Sequence, residues 1–510
     1  MERAALALAV LVPVTALLIQ GGAWTGGRND DAELLLHGQT LALAYDALNP
    51  PLVAWISWAF QQVLGPTLWA VRLPITLALI ATAGLAGALA RRLSPDPLVR
   101  ALGTLAPFTL LHQGFYVSLN LSHSVFLTLG ALAALVALIA ATDRPTPGRF
   151  IVLGLVAGLA LLTKYNAVVV LAALGLAGLA VEPVRRAIWG WKGMLAGLVA
   201  ALVAGPVYGA LALHPEGFAH LYQAKMGLSA PQPWPAGVGA GVLSVLSHGF
   251  SVLLPGAGLA LVVFLPGVAR RIRAQRRFVL GPEGEAAWPW RLAVLMPTLY
   301  AGLLAGVALI GQSRGYSAHH LLPVGLAMVP LVVALASQPP AGRAERILFL
   351  SLSLALAGAA PVALAHFTWR TAATCTGKCN IVLPYGDYAR GLRGAGFTGG
   401  TVVQLTSVHA LPLANLRAWF PDSRFVRPLD PQARVFVPPP RDPPGDCVVL
   451  WDPAVPPAPT PEALARALGL DPGELAGGHQ GVVSGPLALS GRPGPTLAYA
   501  LLPGAGARCP

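Results

Sequence analysis

Two adjacent carboxylates, Asp30 and Asp31, bear most directly on chemistry. A carboxylate held just outside a membrane can take the proton of an incoming hydroxyl while that oxygen attacks an anomeric carbon. Its neighbour can act on it by like-charge repulsion, or help hold a divalent cation or a sugar hydroxyl. The plainer role for either acid is to cap the helix they open, since Asp is a preferred N-cap residue. Cationic groups come next: Lys164 beside Tyr165, Lys225 in a stretch that also holds His220 and Tyr222, and Arg314 followed by Tyr316, His319 and His320. A lipid-linked phosphate departs as a dianion, and cations around its oxygen stabilise that charge as it develops. Each of these cations can instead be a side chain that snorkels from a helix end to the interface. His123, near Asn120 and Ser122, is either a packing residue or a neutral imidazole that hydrogen-bonds substrate. No phosphate-cradling loop, dinucleotide fingerprint or metal-protease motif occurs, which disfavours ATP-driven work and leaves no cofactor beyond the optional divalent cation.

These residues must be positioned by elements embedded in a bilayer. The chain has 510 residues, 55% hydrophobic and 11% charged, with a mean hydropathy of +0.65; a soluble domain carries charge on about a quarter of its residues. Apolar runs of membrane-crossing length recur to about Ala365 and then stop. They parse into eleven spans, approximately 4 to 20, 67 to 89, 98 to 115, 118 to 141, 149 to 163, 166 to 182, 193 to 213, 238 to 268, 290 to 311, 319 to 337 and 347 to 366. The first follows Arg3 as a signal peptide would, but cleavage signals after it are weak, so it reads as a retained helix. The fold class is thus a polytopic α-helical membrane protein of about 11 transmembrane helices over residues 1–366, followed by a small soluble α/β domain over 367–510.

Between the first two spans, residues 21–65 form a loop too polar at its start to cross. Asp30 or Asp31 is expected to N-cap an interfacial helix whose apolar positions are Leu34, Leu35, Leu41 and Tyr45. Asn49-Pro50-Pro51 then breaks the chain, and Leu52 to Val63, with Trp55 and Trp58, predicts a second interfacial helix. In the C-terminal part, helices are expected at Gly386 to Gly396, Leu413 to Phe420 and from Thr460. Strands are expected at Thr401 to Leu405 and Cys447 to Trp451.

Net charge is +13, which by itself would fit a nucleic-acid partner. Its distribution argues otherwise. One alternate set of connections holds 17 Lys and Arg against 5 elsewhere before residue 367, the positive-inside bias. The C-terminal part has 12 basic and 9 acidic residues, with no basic stripe. An odd span count with the basic connections inside puts the C-terminal domain outside the cytoplasm. All four cysteines, Cys375, Cys379, Cys447 and Cys509, fall there, where disulfides persist. Cys375 and Cys379 also have zinc-like spacing, but no second Cys or His pair accompanies them.

Taken in order, Asp30-Asp31-Ala32, Asn49-Pro50-Pro51-Leu52, Ala70-Val71-Arg72-Leu73-Pro74 and the run Gly158 to Tyr165 resemble GT-C glycosyltransferases. The similarity is to their bacterial branch, related to protein O-mannosyltransferases and lipid A aminoarabinose transferases. Asn415-Leu416-Arg417 and Phe420-Pro421-Asp422 are similar to outer domains of its members. The resemblance implies a polyprenyl-phosphate sugar donor, a lipid, glycan or protein acceptor and inversion at the anomeric carbon. It also implies a location in the bacterial inner membrane with a periplasmic C-terminal domain. Asp30 matches the family's first-loop catalytic aspartate, and Asp31 stands where many members have Glu. Lys164 resembles a donor-phosphate contact, and Arg314 occupies a loop that approaches the same phosphate in relatives. Asn49 departs from the His that often precedes Pro-Pro, and Asn120 and His123 stand where many members have an acid. A rival reading, a transporter or flippase of lipid-linked glycan, predicts ionisable groups at mid-membrane and repeated halves. Among the predicted spans only 166 to 182 reaches an acid, Glu182 at its very end and not at mid-membrane, and no duplicated half is apparent.

Overall fold

The computed structural model describes all residues except 1, 46–48, 214–233, 276–283, 285–286, 312, 338–341, 376–378, 406–412, 429–436, 441, 443, 455–468, 470–477, 507–508 and 510. Tyr222, Lys225 and the helix expected from Thr460 lie outside the described residues. The fold is mainly helical. Among the described residues, seven helices are long and apolar enough to cross a membrane, or eight if the bent pair Ala167–Ala180 and Glu182–Ile188 is one span. Four shorter apolar helices, Leu52–Leu64, Pro147–Leu161, Gly256–Arg270 and Leu322–Ser337, fall below that length.

The expected eleven whole crossings need correcting where proline intervenes. The span at 98 to 115 is a helix only over Pro97–Leu105, followed by a 3-10 turn at Ala106–Thr109 and a π turn at His112–Tyr116. Pro107 supplies no N–H to the ladder, and an added Cβ at Gly114 would lie 2.9 Å from the Phe108 carbonyl. The span at 238 to 268 is two helices, Trp234–Leu253 and Gly256–Gln275, separated at Pro255 for the same reason. Residues 318–327 wind as two 3-10 pieces, Ala318–His320 and Leu322–Ala327, before the α-helix Met328–Ser337 begins.

The chain divides into two compact units: Met1–Ala16 with Ile75–Ala363, and Leu17–Pro74 with Leu364–Pro510. In the first, small residues let helices approach closely; Ala5, Ala9, Ala83 and Ala101 pack with Leu105, Phe108 and Ala357 in one buried cluster.

The second unit groups the first loop with the C-terminal part. Its elements begin with the end of α1 (Glu2–Ala23), α2 (Asn29–His37), α3 (Leu52–Leu64) and the start of α4 (Leu68–Leu93). Its sheet has five strands: β1 (Gly400–Gln404), β2 (Arg424–Val426), β3 (Asp446–Trp451), β4 (His479–Val483) and β5 (Leu497–Leu502). Their order is β2-β1-β3-β5-β4, with β1 parallel to both β2 and β3 and β5 antiparallel to β3 and β4. β1 and β2 are buried at every residue, as parallel strands covered on both faces are. The helix Tyr385–Gly394 lies close to the expected 386 to 396, whereas 413 to 420 winds as the 3-10 segment Leu413–Ala418.

Cys375 is bonded to Cys379, and Cys447 on β3 to Cys509 near the end of the chain. The second bond closes a sequence separation of 62, so in the chain-entropy account it stabilises the unit by about 4 kcal/mol. Denatured protein alkylated without reductant should therefore label at none of the four cysteines and, after reduction, at all four. Full labelling without reductant would remove both bonds from the account.

Candidate active site

The acid-bearing helix starts two or three residues earlier than its acids suggest. Arg28 takes the N-cap position of α2, so Asp30 and Asp31 are its second and third helical residues, and neither is the N-cap. From there Asp31 reaches back, and its Oδ2 accepts the Arg28 backbone N–H at 2.8 Å. This satisfies one of the donors that a helix start leaves without partners. The same oxygen is ion-paired with the guanidinium of Arg72 in the first turns of α4. Both side chains are sealed, with 1% of Asp31 and 2% of Arg72 exposed. Burial pushes the Asp31 carboxyl above the usual carboxylate range; Arg72 and the Arg28 amide act against that shift without cancelling it. Arg72 also lies over the Trp24 ring, 5.2 Å from its centroid, and the Trp24 indole N–H donates to the Thr368 hydroxyl at 2.9 Å.

The turn that delivers α2 is fixed by close approach. At Gly27 an added Cβ would lie 2.2 Å from the Asp31 Cβ, and at Gly26 it would lie 2.4 Å from the Tyr385 ring. Neither position admits a side chain. Asn415 grips the turn from the C-terminal part of the chain: its Oδ1 accepts from Gly27 N at 2.8 Å and its Nδ2 donates to Gly27 O at 3.0 Å. Burial raises the Tyr385 hydroxyl well above its ordinary pKa, so it stays a neutral acceptor for Asn415. Thr25 donates from its hydroxyl to Leu383 O at 2.6 Å, and the Asn29 Oδ1 accepts from Asn380 at 3.3 Å.

The far end of α2 is held as firmly. Its last carbonyls have no partners within the helix. Gln61 Nε2 donates to Leu34 O at 2.9 Å, and Arg417 donates to Leu35 O and, at 2.7 Å, to Gln61 Oε1. Beyond the helix the Gln39 amide pairs with both backbone groups of Phe425, at 2.7 and 3.0 Å, and so continues the β2 edge as a strand would. Leu34 and Leu35, expected to face the membrane interface, are instead buried within the protein. Leu41 is 55% exposed beyond the helix end, and Tyr45, off the helix, stacks on His37. Asn49 is half-buried ahead of α3.

Within the other unit, the structure gathers His123, Lys164, Tyr165, His319 and His320. Lys164, only 9% exposed, donates to the Ser124 hydroxyl at 2.9 Å, and His123 Nδ1 lies 3.3 Å from Thr163 O. Asn166 joins this corner to the third loop: its Nδ2 reaches His320 O at 3.2 Å and the Tyr300 hydroxyl at 2.9 Å, and Tyr300 also donates to His320 O. His320 Nδ1 accepts from Ser317 N, and the His319 and His320 rings are 4.2 Å apart. Arg314 lies along the helix start at Gly237, where an added Cβ would be 3.1 Å from its Nε. Among the described residues, no group of three His, Cys, Asp or Glu side chains could hold a metal. Asp31 does not fit a divalent ion, since Arg72 already supplies its counter-charge.

Sequence reasoning passed over Ser124, Asn166 and Tyr300, and counted Arg72 only as a basic residue and part of a motif. Arg72 carried a signal, because an ionisable residue inside an apolar span marks function or a buried partner. The other three carried none.

The chain thus combines apolar helices of membrane-crossing length with a small mixed sheet, and carries an anchored acid-bearing helix in its first loop. Residues 48–208 match the dolichyl-phosphate-mannose-protein mannosyltransferase family. The chain is 26% identical over 358 residues to the lipopolysaccharide core galacturonosyltransferase RgtB of Rhizobium johnstonii, covering 66% of this chain and 68% of that protein. It is 29% identical over 174 residues to RgtA of the same organism, covering 34% of each. Its fold resembles the crystal structure of ArnT from Cupriavidus metallidurans bound to undecaprenyl phosphate, with a TM-score of 0.58 and 14% identity over 99% of this chain and 98% of that one. Together these matches support a GT-C glycosyltransferase, the ArnT likeness bearing on the fold alone.

Proposed function

We propose that this protein transfers a sugar from a polyprenyl-phosphate donor to an acceptor on the periplasmic side of the bacterial inner membrane, with inversion, and that Asp30 is the base. The observation that carries the assignment is the engagement of Asp31. Its carboxylate is sealed against Arg72 and the Arg28 amide, while Asp30, one position earlier on the same anchored turn, is half-buried. The acceptor hydroxyl loses its proton to Asp30 as its oxygen bonds to the anomeric carbon. The bond from that carbon to the phosphate oxygen breaks on the opposite face, and polyprenyl phosphate leaves with the electron pair. Lys164 is assigned to the departing phosphate, where the Ser124 hydroxyl holds its ammonium. Arg314, His319 and His320 are assigned to the donor as well. The ArnT structure with undecaprenyl phosphate and the galacturonosyltransferase relatives support this reading.

Lys164→Ala should lower kcat/KM for the donor about 10-fold to 100-fold, the worth of one charge-assisted contact, with the fold intact. Unchanged donor kinetics would reassign Lys164 to packing. A reporter active only outside the cytoplasm should work when fused after Ala365 and fail at Arg277. The reverse pattern would place the acid-bearing loop on the wrong side for this reaction.

A further inference from the structure

The C-terminal end of α2 leads into a pocket of about 310 Å³ within the same unit. Gln39 and Thr40 form one wall, Arg417, Asp422, Arg424 and Asp442 contribute the charged groups, and the proline run Pro438 to Pro440 closes it. Three features define what it can take. Its volume lies at the low end of the roughly 300–1,000 Å³ of small-molecule sites, so it admits a compact polar ring and no drug-sized or lipid ligand. Its charged lining is balanced, two guanidiniums against two carboxylates, so it offers no net attraction to an anion. Its lining brings together guanidinium groups, carboxylate oxygens and the hydroxyls of Thr40 and Ser423, while the Gln39 amide is taken up by Phe425. The carboxylates are exposed, whereas the arginines are buried and anchored, Arg417 to Leu35 O and Gln61, Arg424 to Pro438 O at 2.8 Å. The wall is therefore rigid, and the acceptors face solvent. That combination suits a ring bearing several hydroxyls, which donate to the carboxylates while proline faces cover its C–H surface.

Position adds the rest. Asp30 stands near the start of α2, which ends at His37, and Gln39 follows two residues later, so at 1.5 Å of rise per helical residue the end of the helix that leads into the pocket lies about 10 Å from the acid along its axis. We propose that this pocket is a subsite for a neutral sugar residue of the acceptor, at some remove from the hydroxyl that reacts, which makes the acceptor a glycan or glycolipid. The proposal rests on the transferase reading and deepens it. Arg417 serves both places: it closes the carboxyl end of α2 and lines the pocket.

The test is saturation-transfer NMR on the full-length protein in detergent, with free galactose, lactose, galacturonate and inorganic phosphate as probes. Galactose or lactose should bind, and Asp422→Asn and Asp442→Asn, both at exposed positions, should each weaken binding about tenfold. Thr40→Trp, which fills the pocket, should abolish binding, with melting temperature confirming that each variant is folded. No binding of either neutral sugar would overturn the proposal, as would tighter binding of galacturonate or phosphate, or neutral-sugar binding that survives Thr40→Trp. No donor is present, so a failure here leaves the transfer reaction to its own test, and a failure of transfer leaves this binding result standing.

Discussion

Asp30→Asn should abolish sugar transfer, lowering the rate by about 100-fold to 10,000-fold, while the protein keeps its melting temperature and still binds its lipid donor. Asn has the size of Asp and its hydrogen-bonding oxygen, so α2 should form unchanged; what disappears is the group able to accept a proton. The geometry makes this substitution a clean one. The capping duty at this helix start is carried by Asp31, whose Oδ2 receives the Arg28 N–H, and the turn before it is held by Asn415 and by the close approaches at Gly26 and Gly27. A variant that transfers sugar at a normal rate would show Asp30 to be an ordinary first-turn acid. One that has lost its fold would show that the anchoring of α2 depends on Asp30 in a way these contacts do not include.

Arg72→Met is expected to have the largest effect on stability. It leaves the Asp31 carboxylate buried with its counter-charge gone, a change that costs about 3–5 kcal/mol where one partner of a sealed pair is removed. The loss should depend on pH, and its sign follows from Asp31. Burial already holds the Asp31 pKa above its unfolded value. Such a group favours the folded state when protonated and loses that contribution as pH rises through its folded pKa. Removing Arg72 removes a charge that lowers this pKa, so the folded pKa rises further and the gap widens. The deficit of Arg72→Met relative to the parent should therefore be greatest near pH 7 and shrink as the pH falls toward the carboxylate range. Replacing both partners by Asp31→Asn with Arg72→Met should recover part of the loss, because no buried charge is then left alone. Melting temperatures in detergent across that range check it. A deficit that does not change with pH would mean that Arg72 acts through its packing on Trp24 and not through Asp31.

Much of the membrane architecture was legible in the sequence because the bilayer imposes length and hydropathy on each crossing. Glu2–Ala23, Leu68–Leu93, Ser122–Asp143 and Trp288–Leu309 sit within a few residues of the expected spans. The errors fell at proline. Pro107 and Pro255 interrupt runs that hydropathy reads as continuous, since a missing N–H leaves apolarity untouched. The C-terminal strands β1 and β3 were visible as short apolar runs, whereas β2, β4 and β5 were not anticipated, β4 being mostly exposed.

In the candidate site, sequence could nominate Asp30 and Asp31 together but had no means of separating them. That distinction comes from Arg72, 41 positions away, and from helix phase: the third helical residue can turn back to the N-cap amide. The same distance hid Asn415 and Arg417, which reach the first loop across more than 350 positions of chain. Lys164 and His123 could be named as polar residues at span ends, but their convergence on Ser124 and Thr163 follows from tertiary packing alone.

The central claim is that this chain moves a sugar from lipid phosphate to an acceptor with Asp30 as base. Its most direct measurement offers purified protein in lipid a panel of radiolabelled polyprenyl-phosphate sugars with cell-envelope glycolipid as acceptor, and follows both donor consumption and the anomeric configuration of the product. The account predicts that the wild type consumes at least one donor, releases polyprenyl phosphate, forms a product of inverted configuration, and loses this turnover in Asp30→Asn. A product of retained configuration, equal turnover in the variant, or a donor that crosses the bilayer without being consumed would contradict it.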